Sequence, residues 1–141
     1  MRKLLIVLCL LVSMPVYSAV PVWFDYDKGL YIDFNPENIK WDKKNKLIYF
    51  WTKTYNLYDK YTDANVIKLL KDNDVFYVMD SNVLDCKNNK TAIINMSLYN
   101  KNDETVYQYA DTKNEDLVWI NYPPQRKFGA ILQMWCDKNF K

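Results

Sequence analysis

Histidine is absent from this sequence, which removes the commonest kinds of enzymatic chemistry. Serine and cysteine nucleophiles are usually activated by a neighbouring imidazole, and zinc is usually held by one. The chain has 2 glycines, so it also lacks a glycine-rich loop for phosphate. Its 17 acidic residues could supply a carboxylate pair for glycoside hydrolysis, but nothing singles out a pair. We therefore expect a protein that is not an enzyme and binds no cofactor.

One short stretch, DYDKGLYID, has residue types that could hold a calcium ion. Asp25, Asp27 and Asp33 lie close to Gly29 in the sequence. The glycine comes one position too early for a calcium-binding loop. The interleaved Tyr, Leu and Ile residues are typical of a β-strand. We therefore expect a strand here and no metal site.

The first 19 residues have the layout of a secretory signal peptide. Two basic residues precede the apolar run Leu4–Val12, and Ser18 and Ala19 are small residues, either of which suits cleavage. A membrane anchor is the alternative, but this run is shorter than the about 20 apolar residues that span a bilayer. We expect residues 1–19 to be removed and residues 20–141 to form one exported domain, in the periplasm or on the outer cell surface.

The domain that remains after cleavage is formally neutral. The chain carries 19 basic and 17 acidic residues, and Arg2 and Lys3 of the signal peptide account for the difference. A neutral domain argues against nucleic acid or an anionic membrane as the main partner, because both attract a basic surplus.

Cys86 and Cys136 are the cysteines left in the exported domain, since Cys9 lies in the signal peptide. An even pair in an exported chain predicts one disulfide. Closing a loop of about 50 residues stabilises the fold by up to about 4 kcal/mol in the chain-entropy model. The alternative is two buried thiols that do not pair.

Short apolar runs, rich in aromatic and β-branched residues and separated by polar turns, predict an antiparallel sheet of about six strands. The predicted strands cover residues 22–26, 30–34, 47–55, 75–86, 91–99 and 104–109. Residues 80–82 interrupt the fourth strand with polar side chains, which predicts a bulge.

Two helical pieces are predicted between the strands. The segment NPENIK suits one helical turn with Asn35 as its cap and Pro36 in the first position. Residues 56–74 suit a short helix that begins after Thr62 or Asp63, because apolar residues follow at helical spacing.

The last predicted helix follows two prolines near the C-terminus. Its apolar stripe has the spacing i, i+3, i+4 and i+7 and consists of Phe128, Ile131, Leu132 and Trp135. Gly129 weakens the helix by about 1 kcal/mol relative to Ala and is expected to let it approach the sheet closely. Cys136 is expected at the helix end, pointing toward Cys86. The predicted fold class is α+β, an antiparallel sheet packed against this helix.

Several strands carry aromatic residues on both sides, whereas a sheet covered on one face needs polar residues on the other. Either both faces are covered or an aromatic face is exposed. Exposed Tyr and Trp are typical of protein contacts. The candidate contact face consists of Tyr49, Trp51, Tyr99, Tyr107 and Tyr109. The alternative is that these side chains belong to the core or to a dimer contact.

The order of motifs along the chain resembles the surface-adhesin protein E family of bacteria. The stretches that carry the resemblance are YIDFNPENIK, IYFWTKTYN, LDCKNNKTAI, SLYNKNDETVYQY, WINYPP and a terminal helix with its cysteine. The chain departs from the family at Gln125-Arg126, where the family usually has Gly-Ser. It also departs in residues 56–74, which are longer and more helical than the family's linker.

This resemblance implies a sheet packed on a C-terminal helix and a disulfide between Cys86 and Cys136. Named members of the family are exported surface proteins that attach to host extracellular-matrix and serum proteins, and dimers occur among them. We therefore expect an exported binding protein, an adhesin for host matrix or serum proteins, with a homodimer as one arrangement. The alternative is a periplasmic inhibitor or immunity-type protein that binds a partner enzyme.

Overall fold

The computed structural model describes residues 19–110 and 116–140, so the predicted signal peptide up to residue 18 lies outside the described residues. The elements in chain order are β1 (Trp23–Asp27), β2 (Leu30–Asp33), β3 (Lys40–Asp42), β4 (Leu47–Thr54), α1 (Leu57–Lys60), α2 (Ala64–Asp72), β5 (Tyr77–Asp85), β6 (Lys90–Tyr99), β7 (Thr105–Ala110), β8 (Ile120–Asn121) and α3 (Lys127–Phe140).

The strands form one antiparallel sheet in the order β1-β2-β4-β5-β6-β7. The short strand β3 pairs with the first half of β4, and β8 pairs with the first residues of β6. The predicted α+β fold is confirmed, with these two short strands added. β3 lies between the second and third predicted strands, and Trp41 at its centre packs against the core.

All helices pack on one face of the sheet. α3 covers one hydrophobic cluster, whose buried members include Ile32, Ile48, Phe50, Leu84, Tyr122, Leu132 and Trp135. The segment containing α1 and α2 covers a second cluster, made of Leu57, Leu70, Val75, Val78 and Leu98. The strand residues of both clusters alternate with residues of the opposite face, as side chains in a pleated strand do.

The NPENIK segment forms a hydrogen-bonded turn, so the predicted helical turn is wrong. Asn35 Oδ1 accepts a hydrogen bond from the Glu37 amide at 3.0 Å, and the Asn38 amide donates to the Asn35 carbonyl at 3.0 Å. The first of these bonds is the predicted cap at Asn35, but the segment makes one turn with an i to i+3 hydrogen bond and does not continue as a helix. The chain therefore turns here and continues into β3.

The segment between β4 and β5 contains two helices where one was predicted. Asp63 is the N-terminal cap of α2, and its carboxylate accepts hydrogen bonds from the amides of Asn65 at 2.8 Å and Val66 at 3.2 Å. Leu70 is buried against the sheet, whereas Leu69 is 57% exposed. Of the two predicted caps, Thr62 and Asp63, the structure therefore confirms Asp63.

Strand β5 is continuous, and the predicted interruption is a bulge in its pairing with β6. Ser81 pairs with Asn95 and Asn82 pairs with Ile93, so the extra residue, Ile94, belongs to β6. The polar residues of β5 therefore stay in the ladder while the neighbouring strand absorbs the irregularity.

The disulfide between Cys86 and Cys136 is present, with a Cα–Cα distance of 5.4 Å. Cys86 follows the last residue of β5, and the bond ties α3 to the β5–β6 turn. The helix does not end at Cys136 as predicted but continues to Phe140. The reason is that Phe140 also packs against the core, which extends the buried stripe by one turn.

Gly129 allows a close approach, but to a different neighbour from the predicted one. A Cβ atom at this position would overlap the carbonyl oxygen of Pro123 and would lie 2.7 Å from its carbonyl carbon. The glycine therefore lets the proline segment cross closely over the first turn of α3, and the sheet is not its contact.

Candidate contact surface on the open sheet face

The sheet face away from the helices, called the open face below, carries several partly exposed aromatic rings. Along β4, Phe50 belongs to the cluster under α3, so the alternating residues Tyr49, Trp51 and Lys53 lie on the open face. Trp51 is 38% exposed. The open face therefore combines large rings with partial access to solvent.

Four tyrosines form a row on this face: three lie in β2, β5 and β6, and one directly follows β4. This tyrosine row consists of Tyr31, Tyr55, Tyr77 and Tyr99. Successive ring centroids are 5.7, 5.4 and 4.7 Å apart, and the last pair is stacked within 12°. Such ring pairs each contribute about 0.5–1.5 kcal/mol beyond the area they bury. The rings are therefore held in fixed positions before any partner arrives.

Lys53 lies over the tyrosine row. Its Nζ atom is 4.0 Å from the centre of the Tyr77 ring and 5.0 Å from that of Tyr55. The ring of Trp23 lies 5.9 Å away on the other side. All three distances fall within the range of a cation–π interaction, so the rings hold this positive charge on the open face.

Two hydroxyls of the tyrosine row donate hydrogen bonds to carboxylates. Asp25 accepts from Tyr31, and its negative charge raises the pKa of that hydroxyl. Burial and a hydrogen bond to Asp103 raise the pKa of Tyr77. Both hydroxyls therefore stay protonated at neutral pH and fix the orientation of their rings.

The N-terminal residues of the described chain lie on the same face, held by the buried side chain of Asp33. Its Oδ1 atom accepts hydrogen bonds from the amides of Val22 at 2.8 Å and Asn35 at 2.9 Å. Its Oδ2 atom accepts from the Asn38 side chain at 2.6 Å. Asp33 belongs to the stretch with calcium-like composition, and here it has a structural role.

Two grooves flank Trp23 on the open face. One, of about 500 Å³, is lined by Trp23, Tyr31, Lys53, Tyr55, Asn56 and Phe76. The other, of about 230 Å³, is lined by residues that include Pro21, Trp23, Trp51 and Met79. Aromatic rings dominate the larger lining, and the smaller one combines two Trp rings with apolar residues, Asp33 and Asn38. Such surfaces suit binding of another chain.

A profile of the surface-adhesin protein E family matches residues 20–137. The chain belongs to this family. Membership indicates a surface adhesin, an exported protein of the cell surface that binds host proteins. A search of curated proteins finds no match to this sequence.

Solved structures of protein E from Haemophilus influenzae share the adhesin fold of this chain at 18% identity. One aligns with a TM-score of 0.51 over 83% of this chain and 85% of its own. The selenomethionine form aligns at 0.52 over 86% and 95%, and protein E from non-typeable Haemophilus influenzae aligns at 0.52 over 87% and 80%. At this identity the likeness establishes the fold alone.

The adhesin's predicted contact residues do not all share one face. Tyr49, Trp51 and Tyr99 lie on the open face. Tyr107 and Tyr109 pair instead with Leu98 and Met96, whose side chains contact the cluster under α2, and partners in an antiparallel pair point to the same side. The structure therefore places three of the predicted residues on the open face and the other two on the opposite face, and Tyr49 and Tyr99 lie toward opposite ends of the open face.

The sequence-based prediction missed three members of the tyrosine row: Tyr31, Tyr55 and Tyr77. Tyr55 could have been predicted from the sequence, because it lies an even number of residues from Tyr49 and Trp51 and such residues of a strand share one face. No local signal joined Tyr31 to Tyr77, because their proximity depends on the strand order.

The described residues show neither a metal cluster nor a membrane-spanning helix. Within residues 19–110 and 116–140, no three His, Cys, Asp or Glu side chains come together as possible metal ligands. No helix in these ranges is long and apolar enough to cross a bilayer.

Proposed function

We propose that this chain is a non-enzymatic adhesin that binds host extracellular-matrix or serum proteins through the open face. In this proposal residues 1–19 direct export and residues 20–141 form the mature domain on the outer cell surface. The carrying observation is the pre-ordered aromatic surface, with Trp51 38% and Phe76 44% exposed beside the tyrosine row. Tyr and Trp dominate the energetic centres of protein interfaces.

The side chains of the open face support a role in binding without catalysis. The described residues that line its two grooves include aromatic rings, a lysine and amides, and neither histidine nor cysteine is among them. The lysine is already in contact with three rings. Such a lining offers contact area and hydrogen-bond donors but no nucleophile paired with a base.

The test is binding of the exported protein to a panel of immobilised extracellular-matrix and serum proteins. We expect saturable binding, and Trp51→Ala should weaken it about tenfold or more if Trp51 is a central contact. Tyr107→Ala is the matched control, because Tyr107 is 57% exposed but lies on the other side of the sheet. It should leave binding unchanged, and circular dichroism should confirm that both variants fold.

Three outcomes would count against the proposal. If no panel protein binds saturably at micromolar concentration, the chain is not a host adhesin of this kind. If the protein instead captures one enzyme from the producing bacterium, the alternative of a periplasmic inhibitor gains support. Equal loss in Trp51→Ala and Tyr107→Ala would refute the assignment to the open face.

A further inference from the structure

The open face already holds a segment that contains proline, made of residues 19–22, the first residues that the structure describes. Pro21 and Trp51 line the same small groove together with Trp23. The segment's carbonyl groups are bound by amide donors from the following turn. Asn35 donates its side-chain amide to the Val20 carbonyl at 2.7 Å, and Asn38 donates to the Ala19 carbonyl at 3.0 Å.

The larger groove begins on the other side of Trp23 and has the same chemistry. Its walls are aromatic: Tyr31 and Tyr55 meet edge to face at 5.7 Å, and Phe76 meets Tyr55 at 5.5 Å. Asn56 also lines the groove, and its side chain makes no capping hydrogen bond to α1. Like the groove that Pro21 lines, this groove combines aromatic rings with an asparagine side chain.

Polyproline II segments need these two features in a binding site. Their backbone makes no internal hydrogen bonds, so their carbonyl groups seek donors from the partner. Their proline rings pack between aromatic side chains, and the preformed helix loses little entropy on binding. The four rings of the larger groove can flank prolines, and Asn56 can donate to a carbonyl.

We propose that the larger groove binds an extended, proline-rich segment of the partner protein. This inference rests on the proposed function, because it names the class of segment that the open face takes from its partner. Trp23 lines both this site and the smaller groove that Pro21 lines, so the two grooves are neighbours on the open face.

The experiment is a titration of the isotopically labelled exported protein with a decaproline peptide, followed by NMR. We expect saturable shifts that are largest for residues lining the groove, such as Tyr31, Tyr55 and Asn56. A decapeptide of alternating Gly and Ser has the same length but no preformed helix, and it should cause no saturable shift.

A pair of matched variants locates the site. Phe76→Ala removes an exposed wall of the groove and should weaken decaproline binding about tenfold. Ile93→Ala is the control, because Ile93 is 41% exposed, similar to Phe76 at 44%, but does not line this groove. It should leave the affinity unchanged.

Several results would overturn the inference. In the titrations, these are an absence of saturable shifts with decaproline, equal binding of the Gly-Ser peptide, or shifts that map outside the groove. In the variants, it is a decaproline affinity that Ile93→Ala lowers and Phe76→Ala does not. Because the shifts are mapped on the unchanged protein, the result does not depend on how well the variants fold.

The proposed function can fail separately from this inference. Binding of matrix or serum proteins without decaproline binding would leave the adhesin proposal standing and remove the proline-rich segment. Decaproline binding without any matrix or serum protein partner would do the reverse.

Discussion

Asp80 is a buried acid in the middle of the helix-covered face. It is 8% exposed, and its Oδ1 atom has no hydrogen-bond partner. The nearby amide of Asn82 donates to the Thr52 hydroxyl at 2.9 Å and to the Asp80 backbone carbonyl at 3.2 Å. Burial raises the Asp80 pKa to about 7. The carboxyl group is therefore favoured in its protonated form in the folded protein.

This shift predicts that the protein is more stable in mild acid than in mild alkali. The folded pKa lies above the unfolded value of 3.8, so the contribution of Asp80 is fully present below that value and is lost as pH rises through about 7. Between pH 5 and pH 8 the loss is at most about 2.5 kcal/mol. Urea unfolding at both pH values measures it.

Asp80→Asn should remove most of this pH dependence, because the amide does not titrate. The exposed Asp72→Asn in α2 is the control and should keep the pH dependence of the parent protein. The titratable groups whose pKa Asp80 raises, Tyr26 and Tyr61, stay protonated over this range. An unchanged pH dependence in Asp80→Asn would contradict the assignment.

Replacing Gly129 with alanine is predicted to lower the free energy of unfolding, whereas the same replacement in most helices raises it. Alanine is the better helix former by about 1 kcal/mol, yet Gly129→Ala should destabilise the protein by about 1–3 kcal/mol because the new methyl group meets the Pro123 carbonyl. Ala130→Gly, next to it and exposed, should cost about 1 kcal/mol through propensity alone. Thermal and urea unfolding compare the two, and a stabilised Gly129→Ala would refute the close crossing.

At the scale of elements, α2 depends on its cap. Asp63 satisfies two amides of the first turn, so Asp63→Ala should destabilise the protein by about 1 kcal/mol. Thr62, the other residue that the sequence offers as a cap, makes no such bonds in the structure, and Thr62→Ala should change the free energy of unfolding little. Urea unfolding of both variants measures the difference, and a larger loss in Thr62→Ala would show that the helix begins elsewhere.

The disulfide fastens α3 to the turn between β5 and β6. It closes a loop with a sequence separation of 50 residues, for which the chain-entropy model gives about 4 kcal/mol as an upper figure. The double variant Cys86→Ser/Cys136→Ser should therefore unfold at a clearly lower urea concentration, and reduction of the parent protein should have a similar effect. Alkylation of both sulfurs without reductant would show instead that the bond is absent from the exported protein.

At the scale of the whole molecule, the proposed adhesin must be reachable from outside the cell. We expect protease added to intact bacteria to degrade it, while a periplasmic marker protein in the same cells stays intact. Immunoblotting of treated and untreated cells measures this. Protection equal to that of the marker would place the protein in the periplasm and favour the inhibitor alternative.

The sequence by itself determined the features that depend on local pattern and on composition. The apolar runs located six of the strands, and the i, i+3, i+4, i+7 stripe located α3, because both patterns reflect one buried side of a regular element. The cysteine count together with a predicted signal peptide was enough to pair Cys86 with Cys136.

Only the tertiary structure decided which aromatic residues meet. Tyr31, Tyr77 and Tyr99 come from three strands and Tyr55 directly follows a fourth, and pairing register sets their contacts. One extra residue in a strand exchanges its two faces, and the register shift between β6 and β7 helps place Tyr107 and Tyr109 away from Tyr99. Composition could indicate an aromatic face, but pairing between distant parts of the chain decided its members.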